Sequence, residues 1–408
     1  MNNKPFYVAI MGCGVVGSGV ADILLEQSGK LGKKFDREVA LKKILDIRDF
    51  AGTPYEPFAV KDCEIIFNDP EISAVVVTIG GLDFAYNMCK RSLECGKHVI
   101  TSNKEVVAAY GRELTQIAFD RGIRFLYEAS AGGGIPVIRP LNICLAANDI
   151  TEIKGILNGT TNYILTRMEE AGISFEEALK EAQGKGYAEA NPTADVDGFD
   201  AARKIAILSS IAYGAWIDYN DVCCRGIRDI TSRDIKFAKA FGGRIKLIAG
   251  SELADNGVKI SVEPTLVKDT NMLCSVGSVY NAVLTRGSYT DYTLFYGQGA
   301  GKLATASAVL GDIIEILGGG DKVATLPGFV KESAKIITST EKAESRYLRY
   351  DSINDFELFD LASCEISADG DSVAILTEPL SESAFESFVS ELNKKLGSDG
   401  PALVLKAL

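Results

Sequence analysis

The chain has 408 residues, with 43 Lys and Arg against 55 Asp and Glu, a net charge of -12. That negative excess argues against a nucleic-acid partner, since nothing balances phosphate repulsion over a broad face. No window holds 18 apolar residues in a row and the opening Asn2-Asn-Lys-Pro5 resembles no signal peptide, so the expectation is a soluble, cytoplasmic protein without a membrane partner.

The length allows two or three domains, and 47% hydrophobic with 24% charged residues is ordinary for a globular protein. Nine cysteines occur without C-x-x-C spacing, which argues against a structural zinc site. The adjacent Cys223-Cys224 reads as two buried thiols or as a redox pair. There is one histidine, His98, at the entrance of a short strand. Proton transfer therefore falls to lysine or a carboxylate.

The first apolar strand, Tyr7–Ile10, runs into Gly12-Cys-Gly14-Val-Val-Gly17 and then a helical pattern through Val20, Ile23, Leu24 and Leu25. This is G-x-G-x-x-G with a strand before it and a helix after it, the setting in which it binds a dinucleotide. Gly12 permits the tight turn, Gly14 lets backbone approach the pyrophosphate, and Gly17 allows close helix–strand packing. Further strands are expected at Val39–Leu45, Glu64–Phe67, Ala74–Ile79, Val99–Ile100 and Phe125–Tyr127, with helices over 82–95 and 104–121. That alternation predicts an α/β fold with a Rossmann-type doubly wound parallel sheet.

The second strand ends in Asp46-Ile-Arg48-Asp49. An acid there suits a ribose 2′-hydroxyl and Arg48 suits a 2′-phosphate, so NADP is favoured with NAD accepted. Thr78-Ile-Gly-Gly81 and Thr101-Ser-Asn-Lys104 both end strands where such sheets face their ligand. The first reads as a ligand contact or as an unliganded turn, and Lys104 reads as a solvated lysine or, with Lys204, as a second cationic group at the crevice.

After residue 128 the texture changes. Glu128-Ala-Ser-Ala131-Gly-Gly133-Gly-Ile135-Pro136 is either a domain hinge or a backbone that turns carbonyls toward a hard monovalent cation. A strand at Ile153–Leu157 leads to Asn158-Gly-Thr160, a polar corner at a helix start. The block Gly186–Lys204 gathers Glu189, Asp195, Asp197, Asp200 and Lys204. Asp197 reads as an N-cap and Asp200 as the acid of a capping box, with Asp200 and Lys204 four apart on one helical face.

Taken in order with Gly297-Gln-Gly-Ala-Gly301 and Thr305-Ala-Ser307, these segments resemble homoserine dehydrogenase over roughly residues 6–320. The resemblance implies reversible NAD(P)-dependent conversion of L-homoserine and L-aspartate 4-semialdehyde, in threonine and methionine biosynthesis. Lys204 matches the family's catalytic lysine, Asp200 would hold its ammonium group, and Lys104 would sit near the reacting oxygen and the nicotinamide. Glu189 would bind the substrate's ammonium group, supported by Asp195, and Thr160 would line the crevice. The candidate cofactor contacts are Gly12, Gly14, Val16, Gly17, Arg48, Thr78, Lys104, Gly186 and Gly301. Glu128, Ala131, Gly133 and Ile135 match sodium-binding positions, and a homodimer is implied. Asn191 departs from the family's usual aspartate.

The expected layout is a cofactor domain over 1–130 completed by about 305–340, with Gly311–Leu317 packing back on it, and an α+β substrate and dimerisation domain over 131–304. Residues 345–408 read as a small, incomplete ACT-like α+β module: strands at Arg346–Tyr350, Ser372–Leu376 and Ala402–Lys406 and a helix over Glu382–Leu396, without the helix expected after the first strand. No kinase region stands before residue 1, so the monofunctional form is expected. Two rivals remain: a redox sensor that binds NAD(P) without turnover, and aspartate-semialdehyde dehydrogenase, which needs a nucleophilic cysteine and a histidine base.

Overall fold

The computed structural model describes residues 5–319, 332–340, 342–353 and 364–408. Its elements begin with β1 (Phe6–Met11), α1 (Val15–Phe35), β2 (Val39–Leu45), β3 (Ala59–Val60), the single turn α2 (Glu64–Phe67) and β4 (Ile72–Val77). Then come α3 (Asp83–Glu94), β5 (His98–Thr101), α4 (Lys104–Asp120) and β6 (Phe125–Leu126). The middle of the chain carries β7 (Ile150–Ile156), α5 (Gly159–Ala171), α6 (Phe175–Gly184), α7 (Thr193–Val196), α8 (Phe199–Tyr213) and β8 (Cys223–Cys224). Next are α9 (Ser232–Ala240), β9 (Gly243–Ala254), β10 (Gly257–Lys268), β11 (Tyr280–Gly287), β12 (Asp291–Gln298) and α10 (Lys302–Gly318). The last are β13 (Ile336–Ile337), β14 (Ser345–Tyr350), β15 (Cys364–Asp369), β16 (Ser372–Thr377), α11 (Glu382–Leu396) and β17 (Leu403–Ala407).

The chain forms two compact units. The first takes Met1–Thr151, Arg203–Asp221 and Thr285–Ala334; the second takes Glu152–Ala202, Val222–Leu284 and Lys335–Leu408.

In the first unit six parallel strands run in the order β3-β2-β1-β4-β5-β6. The order reverses between β1 and β4, and doubly wound sheets bind ligands outside the carboxyl ends of the strands at such a switch. Ala74–Val77 of β4 are buried without alternation, as a strand covered on both faces requires. Val20 and Leu24 of α1 share a core with Val309 and Ile313 of α10. A Cβ on Gly19 would stand 2.8 Å from the Lys302 oxygen, so glycine is what allows these two helices to approach.

In the second unit β9 and β10 form a long antiparallel hairpin in register from Gly257 opposite Ala254 to Lys268 opposite Gly243. β7 pairs β9, and β17 runs parallel to β10 with Thr265 opposite Lys406. From there the sheet continues β17-β14-β16-β15, all antiparallel. The C-terminal strands thus extend the sheet of the second unit, with Phe385, Phe388 and Leu392 of α11 packed on Leu348, Tyr350 and Ile375. Much of the stretch where the helix after β14 was expected, 354–363, lies outside the described residues.

Four expectations need correction. Glu64–Phe67 is a helical turn, because Asp62 Oδ1 accepts from the Glu64 amide at 2.9 Å and starts it; four apolar residues do not distinguish strand from helix. Asp197 does not cap α8: it ends α7, Gly198 at φ +90° turns the chain, and Asp197 pairs with Arg228 Nε at 2.5 Å. Asp200 is then the second residue of α8 rather than the third, so no capping box forms around it. Cys223 is exposed and Cys224 half-buried, since β8 is a two-residue strand on β10.

Candidate active site

The glycine turn after β1 has the shape its sequence implies. Gly12 takes φ +90°, and a Cβ on Gly17 would stand 2.0 Å from the Gly12 oxygen and 2.7 Å from Thr78 Oγ1. Thr78 Oγ1 donates to the Gly12 carbonyl at 2.5 Å, so this hydroxyl locks the turn from the end of β4. Gly14 is the N-cap of α1 and brings no side chain to its first amides, nor does an acid occupy the first turn. Uncapped amides at the positive end of a helix are an anion site. Val16 is half-buried against the core of the sheet.

At the end of β2, Asp46 organises the neighbouring corner. Its Oδ2 accepts from the Cys13 amide at 2.7 Å and from Arg48 Nη2 at 2.9 Å; its Oδ1 accepts from Arg48 Nε at 3.0 Å. The Arg48 guanidinium holds the Asp46 carboxyl well below the usual carboxylate range. Lys61 Nζ donates to the carbonyls of Asp46, Ile47 and Arg48 and pins the same corner. Arg48 itself stays exposed, a fixed cation beside the glycine turn.

Lys104 is the first residue of α4. Asn103, its N-cap, accepts from the amides of Glu105 and Val106 and donates to the carbonyls of Ile79 at 3.0 Å and Gly81 at 2.7 Å. One side chain therefore ties the Lys104 turn to the loop after β4. His98 is half-buried, and its Nδ1 accepts from the Arg124 amide at 3.0 Å. Burial pushes its imidazole down to about 4, so it is neutral near pH 7.

The glycine loop packs on the segment before α10. A Cβ on Gly133 would stand 2.0 Å from the Gly299 oxygen, and the Gly134 amide donates to Gln298 at 3.1 Å. Glu128 is buried, with its carboxylate accepting from the amides of Val137 at 2.6 Å, Ile138 at 2.8 Å and Arg139 at 2.7 Å. Its own amide donates to Asp312 Oδ2 at 3.0 Å. Asp312 is buried and paired with Arg139, yet burial and the Glu128 charge raise its carboxyl well above the ordinary value. Ala131 and Ile135 are buried in the same loop. Gly301 takes φ +126° and caps α10, whose Lys302 pairs with Asp22 of α1 at 2.7 Å.

In the second unit the polar corner after β7 is gathered by Asn158. Its Nδ2 donates to Asp195 Oδ1 at 2.6 Å and to Asp200 Oδ2 at 2.9 Å. Thr160 Oγ1 donates to the Tyr187 carbonyl at 2.6 Å, which fixes the loop holding Gly186 (φ +74°) and the exposed Glu189. Asp200 is buried, and Lys204 lies one turn further along α8. Asp195, Asp200, Thr160 and the Gly186–Glu189 loop thus come together.

Two family profiles cover most of the chain: one described as homoserine dehydrogenase matches residues 136–314, and one described as homoserine dehydrogenase, NAD binding domain, matches residues 12–128. Homoserine dehydrogenase of Synechocystis is 44% identical over 76% of this chain and 73% of its own, and that of Neisseria gonorrhoeae is 38% identical over 85% and 82%. The chain belongs to the homoserine dehydrogenase family. It is therefore an NAD(P)-dependent oxidoreductase, and the sensor reading without turnover has no support among these relatives. The crystal structure of a homoserine dehydrogenase from Thiobacillus denitrificans is 32% identical, covers 99% of this chain and 98% of its own, and has a TM-score of 0.87. An archaeal homoserine dehydrogenase in complex with NADPH is 28% identical over 79% of this chain, with a TM-score of 0.66.

The sequence did not reveal the partners that hold these residues. Asp312 stands 184 positions from Glu128, and nothing in its helical context marks it. The two amide hydrogens of Asn158 reach carboxylates 37 and 42 positions away. A polar residue at a strand end was the only available signal.

Proposed function

We propose that the chain catalyses reversible oxidation of L-homoserine to L-aspartate 4-semialdehyde, with Lys204 as the proton carrier. What supports this most is Asp200, buried, held by Asn158 and one helical turn from Lys204. In the oxidation Lys204 takes the hydroxyl proton; in the reduction it returns a proton to the carbonyl oxygen. Asp200 restrains the Lys204 ammonium group, and Lys104 stabilises charge on the same oxygen. Glu189 and Asp195 hold the substrate's ammonium group, and Thr160 shapes the crevice beside them. The bound nicotinamide supplies the hydride acceptor or donor.

The residues at the switch point fit such a cofactor: Gly12, Gly14, Val16 and Gly17 form the phosphate turn, and Thr78 holds it. Gly186 and Gly301 are read as further cofactor contacts. Asp46 spends its oxygens on Cys13 and Arg48, which favours Arg48 as the partner of a 2′-phosphate and hence NADP over NAD. Glu128 accepts three amides and keeps one acceptor site on Oε2 that, with carbonyls of Ala131, Gly133 and Ile135, suits a sodium ion. A sodium-dependent rise in melting temperature, absent with choline, is the readout for that ion independent of turnover. Nine free thiols suit a reducing, cytoplasmic setting, and the working form is read as a homodimer, which light scattering measures.

The decisive experiment compares initial rates of L-homoserine oxidation with NADP and NAD in wild type and Lys204→Ala. Turnover that favours NADP and disappears in the variant supports the assignment. Near-normal turnover of Lys204→Ala removes Lys204 as proton carrier.

A further inference from the structure

Asn158 makes more hydrogen bonds than its place requires. As N-cap of α5 it needs one acceptor, and Oδ1 supplies it to the Thr161 amide at 2.8 Å and the Thr161 hydroxyl at 3.0 Å. Ser, Thr or Asp would cap as well. With Oδ1 fixed on those donors, Nδ2 must point the other way. There it meets two carboxylates from two different helical elements, Asp195 of α7 and Asp200 of α8. The side chain is 5% exposed and Asp200 is 4% exposed, so water does not screen the contact freely. Two carboxylates at one point repel each other, and a shared pair of N–H donors offsets that repulsion and sets their spacing. Among short side chains only asparagine caps the helix and donates twice.

We propose that Asn158 is a positioning residue for the reaction, fixing Asp200 for Lys204 and Asp195 for the substrate's ammonium group. This rests on the roles proposed above for those carboxylates. Asn158 touches no reacting atom; it acts through the pair.

The test uses Asn158→Ser in the full-length protein, which keeps the cap without adding charge and replaces the two Nδ2 donors by a single, shorter hydroxyl that cannot bridge both carboxylates. Hydrogen bonds to charged groups of this kind correspond to a loss in kcat/KM of about 10- to 100-fold. The loss should divide, with kcat falling as in Asp200→Asn and the homoserine KM rising as in Asp195→Asn. NADPH affinity should stay within about twofold and the melting temperature within about 3 °C. Combined with Asp200→Asn, the serine variant should lower kcat less than twofold further, because its route to that step is already gone. Asn158→Asp, which keeps the cap and places a third carboxylate there, should be slower still.

Turnover of Asn158→Ser within twofold of wild type overturns the proposal. So does full additivity with Asp200→Asn, or a fall in NADPH affinity and melting temperature parallel to the kinetic loss, which would mark a purely structural cap. If Asp200→Asn by itself leaves kcat unchanged, the fault lies in the role given to Asp200 and not in the geometry of Asn158.

Discussion

Arg48 has an observed contact with Asp46 and a proposed contact with a 2′-phosphate, and one substitution separates them. It neutralises Asp46 through a two-point contact and remains open on its outer face. Arg48→Ala should weaken NADPH binding about 10- to 100-fold and leave NADH within about twofold, as titration of nicotinamide fluorescence measures. Lys204→Ala should lower kcat about a thousandfold at unchanged NADPH affinity, the usual scale of a lost proton carrier. His98 gives a stability signature instead. The unfolded chain, with an ordinary imidazole near 6.5, takes up a proton that the folded chain refuses until about pH 4. Stability present above pH 6.5 is therefore lost as pH falls through that window, by at most about 3 kcal/mol. Denaturant titrations from pH 7 to 4 should show this slope in wild type and not in His98→Asn, which retains an acceptor for the Arg124 amide. From the sequence His98 is a residue at a strand entrance; the fold shows a half-buried ring whose desolvation keeps it neutral.

At the scale of elements, close backbone approaches do the positioning. Gly133 combines φ +59° with the Gly299 oxygen where a Cβ would go. Gly133→Ala should cost about 2 kcal/mol or more, read as a shift in the urea midpoint, because strain and overpacking add. Much of this scale was legible beforehand. The turn at Gly12–Gly17, the strands β1, β2, β4 and β5, and helices α3 and α4 all follow from periodicity and glycine placement. The departures are local: Glu64–Phe67 lacks the length to declare a period, and Asp197 suits either end of a short break. Gly198 with its positive φ decides that α7 ends before α8 begins.

Across the whole molecule, the C-terminal strands belong to the second unit by pairing and by charge. β17 runs beside β10, and Asp234, fully buried on α9, takes hydrogen bonds from Tyr347 Oη at 2.8 Å and from Arg349. Arg349→Met should leave that buried carboxylate without its cation and cost about 3 to 5 kcal/mol, measurable by equilibrium unfolding. A fully separate appended module would show no such cost in the rest of its unit. Among the described residues no helix is long and apolar enough to cross a membrane, and no group of three His, Cys, Asp or Glu could hold a metal.

The dinucleotide turn, the doubly wound order of the first strands and the family can be read from the linear chain, because each rests on residues within one element or one short loop. Periodicity, glycine conformation and motif spacing act over a few residues and are therefore written in linear order. The partners that hold the candidate site residues come from folding: Asp46 committed to Cys13 and Arg48, Glu128 bound to Asp312 through its amide, and Asn158 holding Asp195 and Asp200. Apart from the local Asp46–Arg48 pair, those contacts join positions far apart in the chain. Their strength depends on burial, which exists only once the two compact units have closed around their own cores.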